Sequence, residues 1–186
     1  MAKRVVRIGL DFDGVVAYNP FRIIRAPIKW FKREVLGINR LSFFVPKNAW
    51  QKIMWVVVHE SSVFPSQGVE MLKNRVDGLK VEFHLITGRY GFLEHNLRTW
   101  LTRNKLEKCF KSININEHGE QPHVFKEQMV GKLGLDVYIE DNLDIVMYLQ
   151  KLKRCRVMWV YNMLDRNKNY TDKYPHLKAA LTALGL

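Results

Sequence analysis

The sequence predicts an α/β fold: a parallel sheet flanked by helices, with a small helical insertion after the first strand. Three observations carry this. Short runs rich in β-branched residues alternate with segments of helical periodicity. Several of these runs end in acidic or hydroxyl residues rather than in hairpin turns. The rhythm is broken once, between about residues 18 and 65, by a stretch too long for a loop in a compact domain.

Residues 4–10 read as the first strand, closed by Asp11 and Gly14. Residues 18–65 then hold Pro20, Pro27, Pro46 and Pro65, and are expected to form two or three helices over the sheet. So short a piece buries little surface alone, so it is read as a cap on a core made of residues 1–17 and 66–186. Residues 68–77 place Val69, Leu72 and Val76 on one helical face. Residues 80–86 form the next strand and end at Thr87-Gly88. Residues 91–104 are helical through Leu93, Leu97 and Leu101. Residues 110–115 give a weaker strand, and residues 124–133 a helix. Residues 136–139 form a strand ending at Glu140-Asp141. Residues 143–152 are helical, 156–161 form the fifth strand, and 176–184 close the chain as a helix.

The chain of 186 residues is one domain in size, and 47% hydrophobic with 26% charged residues is ordinary for a folded protein. Cys109 and Cys155 make neither a disulfide framework nor a CxxC pair and are read as small buried hydrophobes. The longest unbroken apolar run, Ile53 to Val58, is far short of the ~20 residues that span a membrane. Arg7 and Asp11 interrupt any signal-like run at the N-terminus, so a cytoplasmic location is expected. The six histidines show no HxxxH or HxH spacing, which argues against zinc, and His84 is read as a core or sheet-face residue. The net charge of +12 favours anionic partners, among them phosphate esters, nucleic acid and acidic lipid.

The polar residues at the strand ends bear on chemistry. Asp11 and Asp13 follow the first strand, Thr87 and Gly88 the second, Glu140 and Asp141 the fourth. In open α/β sheets, ligands bind at the carboxyl ends of the strands, so these groups are expected to converge. Carboxylates that crowd together repel unless a cation separates them. Carboxylates, waters and a substrate phosphate are the usual surroundings of Mg²⁺.

Four segments, in order, resemble the motifs of the haloacid dehalogenase superfamily, whose core is Rossmann-like. Leu10-Asp11-Phe12-Asp13-Gly14-Val15 resembles the first motif and Leu85-Ile86-Thr87-Gly88-Arg89 the second. Lys126 fits the third, and Val137-Tyr138-Ile139-Glu140-Asp141-Asn142 the fourth. The set spans residues 10–142 and is most similar to the nucleotidase-like branch. The resemblance implies an Mg²⁺-dependent phosphatase. Asp11 would be the nucleophile and a metal ligand. Asp13 would be the acid/base, with its backbone carbonyl on the metal. Thr87, Gly88 and Lys126 would hold the phosphoryl group. Asp141 would bind Mg²⁺ directly and Glu140 through water. Lys132 is the rival to Lys126, but it stands at the C-terminal end of its helix, where a solvated lysine is usual. Arg89 reads equally as a phosphate contact or a solvated helix-start residue.

The expected substrate is a small phosphorylated metabolite, with a nucleoside monophosphate favoured. A phosphatase on nucleic-acid ends and a non-catalytic binding protein of the same fold are the alternatives. Asp13 speaks against a dehalogenase, because those members lack the acid/base. The insertion carries Trp30, Phe31, Phe43, Phe44, Trp50 and Trp55 among many cations. Most of these aromatics are read as insertion core, with one or two lining the pocket.

Overall fold

A computed structural model describes residues 4–18, 48–60, 62, 64–73 and 80–186. Its centre is a six-stranded sheet in the order β5-β4-β1-β6-β7-β8, parallel throughout. The strands are β1 (Val6–Leu10), β4 (Val81–Tyr90), β5 (Phe110–Asn116), β6 (Val137–Glu140), β7 (Arg156–Val160) and β8 (Lys173–Tyr174). The chain runs outward from β1 through β4 to β5, then crosses back to place β6 on the other side of β1. That reversal opens a crevice at the carboxyl end of β1, where α/β sheets bind ligands.

Each face of the sheet has its own core, as the period-two alternation of the strands requires. On one face Ile8, Leu10, Leu85, Ile139 and Met158 pack under Leu97 and Leu101 of α2 (Glu94–Arg103) and Leu177, Ala180 and Leu181 of α5 (Leu177–Thr182). Full burial of side chains such as Leu97 and Leu101 contributes about 1.5–3 kcal/mol each. On the other face Ile86, Tyr138, Val157 and Trp159 meet Phe125 and Val130 of α3 (Pro122–Leu133) and Ile145, Val146 and Leu149 of α4 (Leu143–Leu152).

Helix boundaries follow local chemistry. Pro122 opens α3, where its missing N–H costs nothing, and Gly134 ends it at φ 57°. The Asn142 side chain caps α4 by accepting from the Asp144 N–H at 3.1 Å. Gly9 is demanded by packing, because a Cβ there would lie 2.4 Å from Leu135 Cδ1 and 2.7 Å from Tyr138 Cδ2.

The insertion leaves and rejoins the core through an antiparallel ribbon. Here β2 (Ala17–Tyr18) pairs with β3 (Phe64–Pro65), Ala17 opposite Pro65 and Tyr18 opposite Phe64. Helix α1 (Ala49–Glu60) precedes β3. Residues 19–47, which include Trp30, Phe31, Phe43 and Phe44, lie outside the described residues. Among the described residues, no helix is long and apolar enough to cross a membrane.

Two expectations need correction, and one strand is additional. Residues 69–72 form a 3-10 helix, which supplies buried Val69 and Leu72; 74–79 lie outside the described residues. The strand expected to end at residue 86 runs on to Tyr90, because a register shift lets Tyr90 pair with Asn116. The short strand β8, paired with Trp159 and Val160, was not expected.

Because the space above Gly9 is filled, Gly9→Val should destabilise the fold by about 1–3 kcal/mol through overpacking. Urea denaturation followed by tryptophan fluorescence measures this. An unchanged midpoint would contradict the packing described here.

Candidate active site

The three strand ends that bear reactive residues meet at the crevice beside β1. Pairing of β1 with β6 continues one residue past the strand, where the Asp11 N–H donates to the Ile139 carbonyl at 3.0 Å. This fixes Asp11 next to Glu140, the last residue of β6. Lys126 comes from the N-terminal half of α3 and is 3% exposed. Its Nζ donates to Asp11 Oδ1 at 2.9 Å and to Glu140 Oε2 at 2.6 Å. Gly88 permits this approach of α3 to β4, since a Cβ there would sit 3.1 Å from the Pro122 Cβ. Lys132 is exposed and takes no part.

Other donors hold Glu140 in place. The Tyr138 hydroxyl donates to Oε2 at 3.2 Å and the Asn142 N–H to Oε1 at 3.0 Å. Trp159 steadies the neighbouring residue, donating from Nε1 to the Asp141 carbonyl at 3.1 Å. Asp11, Glu140 and Asp141 each offer an oxygen within 4.8 Å of the others, enough for them to share one cation. The Asp13 carboxylate is outside this group.

The titration of these groups reflects crowding. Burial, and then repulsion from Glu140, push Asp11 well above the ordinary carboxylate range, against the pull of Lys126. Burial also raises Glu140, with Lys126 opposing. For Lys126, burial favours the neutral form, but Asp11 and Glu140 outweigh it and raise its pKa. The ammonium is therefore kept while the carboxylates compete for it.

Asp13 faces a second cation. Arg89 donates from Nε to Asp13 Oδ2 at 2.8 Å and from Nη2 to Oδ1 at 2.7 Å. Ser62 donates from Oγ to the same Oδ1 at 2.6 Å. The guanidinium lies 4.5 Å from the centre of the Phe12 ring. The Arg89 N–H donates to Thr87 Oγ1 at 3.2 Å, which leaves the threonine hydroxyl proton to be given elsewhere.

Of the two equal readings of Arg89, the solvated helix-start residue does not hold, because the extended β4 carries it inward to 4% exposure. Its guanidinium grips the Asp13 carboxylate. Ser62, Tyr138 and Trp159 were not anticipated as site residues. Only Tyr138 had a local signal, standing two positions before Glu140 on the same side of the strand.

Four carboxylates (Asp11, Asp13, Glu140, Asp141) and two cations (Lys126, Arg89) are buried here. The deficit, with all four carboxylates ionised, is two positive charges, the charge of one divalent ion. With three carboxylate oxygens already clustered, the residues fit Mg²⁺, a hard cation that takes oxygen ligands.

The architecture is that of the haloacid dehalogenase-type hydrolases, with a Rossmann-like core. A candidate beta-phosphoglucomutase from Thermotoga maritima superposes with a TM-score of 0.62 at 15% identity, over 97% of this chain and 98% of that one. YfnB from Bacillus subtilis, bound to magnesium, gives 0.59 at 11% identity, over 99% and 100%. CbbY from Rhodobacter sphaeroides, in complex with phosphate, gives 0.56 at 11% identity, over 98% and 100%. No family model and no curated protein matches the sequence.

Lys126→Met would leave Asp11 and Glu140 without their shared ammonium. Losing one partner of a buried ion pair costs about 3–5 kcal/mol. Denaturation in the presence of EDTA should show a loss of that size, and an unchanged midpoint would contradict the arrangement.

Proposed function

We propose that the chain is an Mg²⁺-dependent phosphomonoesterase that works through an aspartyl-phosphate on Asp11. The observation that carries this reading is the meeting of Asp11, Lys126, Glu140 and Asp141 in one buried cluster at the carboxyl edge of the sheet. The magnesium and the phosphate held by two proteins of the same fold support the same chemistry.

Asp11 attacks phosphorus, forming an O–P bond as the bond to the leaving oxygen breaks. Asp13 gives that oxygen a proton. Asp13 then takes a proton from the water that splits the aspartyl-phosphate, returning Asp11 and releasing phosphate. The Thr87 hydroxyl and the N–H of Gly88 hold the phosphoryl oxygens, and Lys126 offsets charge on Asp11 and on the transferring group. Asp11, Asp141 and the Asp13 carbonyl would hold Mg²⁺ directly. Glu140, whose oxygens already meet Lys126, Tyr138 and Asn142, would act through water. When bound, the ion supplies positive charge to the phosphoryl oxygens.

The residues from 18 to 65 form the cap, and the substrate is a small phosphorylated metabolite, with a nucleoside monophosphate favoured. A row of rings beside the site supports a planar group. Trp55 of α1 lies 6.5 Å from Tyr90, and Tyr90 stacks on Phe92 at 6.0 Å. Lys52 stands 5.8 Å from the Phe92 ring centre.

Hydrolysis of a panel of phosphate esters should require Mg²⁺ and stop with EDTA; full activity in excess chelator would sink the metal reading. Asp11→Asn should abolish turnover and form no phosphoenzyme by mass spectrometry. Asp13→Asn should lose about 10²–10⁴-fold on an alkyl phosphate and less on p-nitrophenyl phosphate, whose leaving group needs little protonation. Equal losses on both esters would reverse these roles.

Trp55→Ala should lower kcat/KM for nucleoside monophosphates more than for sugar phosphates and leave the metal requirement unchanged. A constant ratio would remove the rings from substrate selection.

A further inference from the structure

The Asp13 carboxylate does not share the cluster of Asp11, Glu140 and Asp141. It has a frame of its own, and that frame joins the core to the insertion. We propose that Arg89 and Ser62 are positioning residues for Asp13, holding its carboxylate for proton transfer at the leaving oxygen. This inference rests on the phosphatase reading.

The geometry is that of a fork. A guanidinium gripping both carboxylate oxygens, at 2.8 and 2.7 Å, fixes the plane of the carboxylate as well as its distance. Arg89 is itself held. Its guanidinium lies over Phe12, which is fully buried, and Phe12 meets the Trp100 ring edge-on at 5.0 Å. Its backbone N–H is tied to Thr87 Oγ1. Asp13 sits in the turn after β1, where Gly14 adopts φ 93°, rather than in a regular strand that would orient it. The turn leaves the direction of the side chain to its partners.

Ser62 supplies the link to the insertion. It is 3% exposed and lies between α1 and β3, on the limb that returns from the insertion to the core. A second contact runs in parallel, since Trp55 of α1 rests against Tyr90, the neighbour of Arg89. Ser62 and Arg89, which both hydrogen-bond to Asp13, thus stand where the insertion meets the core.

Misplacing a catalytic group by about 1 Å can cost ~10²-fold in rate. Losing the fork should slow the steps that use Asp13 and spare the attack by Asp11. A phosphate-binding arginine would behave differently, raising KM for every ester alike.

The experiment compares wild type, Arg89→Met, Arg89→Lys and Ser62→Ala on an alkyl phosphate and on p-nitrophenyl phosphate, alone and in the Asp13→Asn background. Arg89→Met should lower kcat on the alkyl ester by ~10–100-fold and on the aryl ester by less, with KM little changed. Arg89→Lys keeps the charge without the fork and should fall between. Ser62→Ala should show the same ester bias with a smaller loss. It leaves no buried charge unpaired, so it keeps the test open if Arg89→Met fails to fold. In the Asp13→Asn background, either change should add no more than about twofold, because its route of action is already gone. Equal losses on both esters, a raised KM with kcat intact, or fully additive losses with Asp13→Asn would overturn the proposal. Wild-type rates in both Arg89→Met and Ser62→Ala would overturn it while leaving the phosphatase reading in place. A wild-type chain that hydrolyses neither ester would overturn that reading, and this inference with it.

Discussion

The ammonium of Lys126, shut in between Asp11 and Glu140, is the interaction on which the site depends. A buried charge is tolerated only when paired and hydrogen-bonded. For Lys126 to reach both carboxylates, β1 and β6 must be neighbours and α3 must begin close to the end of β4. The first condition is met by the reversal of strand order at β1, the second by Gly88, which admits Pro122. A buried ion pair is often no more stable than well-packed apolar residues of similar volume. Packing alone therefore does not account for this one, and the excess of carboxylates beside it is what a cation site requires.

The two cations of the site divide its labour. Lys126 serves the cluster where the phosphoryl group and the divalent ion would meet. Arg89 grips Asp13 through both carboxylate oxygens. The division arises in the turn after β1. As extended strand, Asp11 and Asp13 would present their carboxylates to the same side. The turn instead gives each its own counter-charge, Lys126 for Asp11 and Arg89 for Asp13.

Much of this was legible in the sequence because the core strands are short runs of β-branched and aromatic residues, each ended by a polar group. Asp11, Thr87, Glu140 and Asp141 could be placed together from strand ends alone. Lys126 could be chosen over Lys132 because a lysine near a helix start faces the sheet edge, whereas one at the C-terminal end is usually solvated. What escaped depends on tertiary pairing. Arg89 was ambiguous because nothing local says that β4 continues to Tyr90; that follows from the shifted register with β5. Ser62 is a serine in a polar stretch, and only the folding back of the insertion gives it a carboxylate partner. The two-residue strands of β2, β3 and β8 are too short to show any periodicity.

The ribbon of β2 and β3 has a consequence for how this chain can vary. Opposed residues in such a pair lie about 5 Å apart, so the main chain leaves and re-enters the core at nearly one point. The free energy of closing a flexible loop rises by only about 0.6 kcal/mol for each doubling of its length. The sheet is then almost indifferent to how many residues lie between Tyr18 and α1, ahead of the limb that carries Trp55 and Ser62. That stretch can lengthen, shorten or be exchanged while the sheet stays in register and the returning limb keeps Ser62 against Asp13.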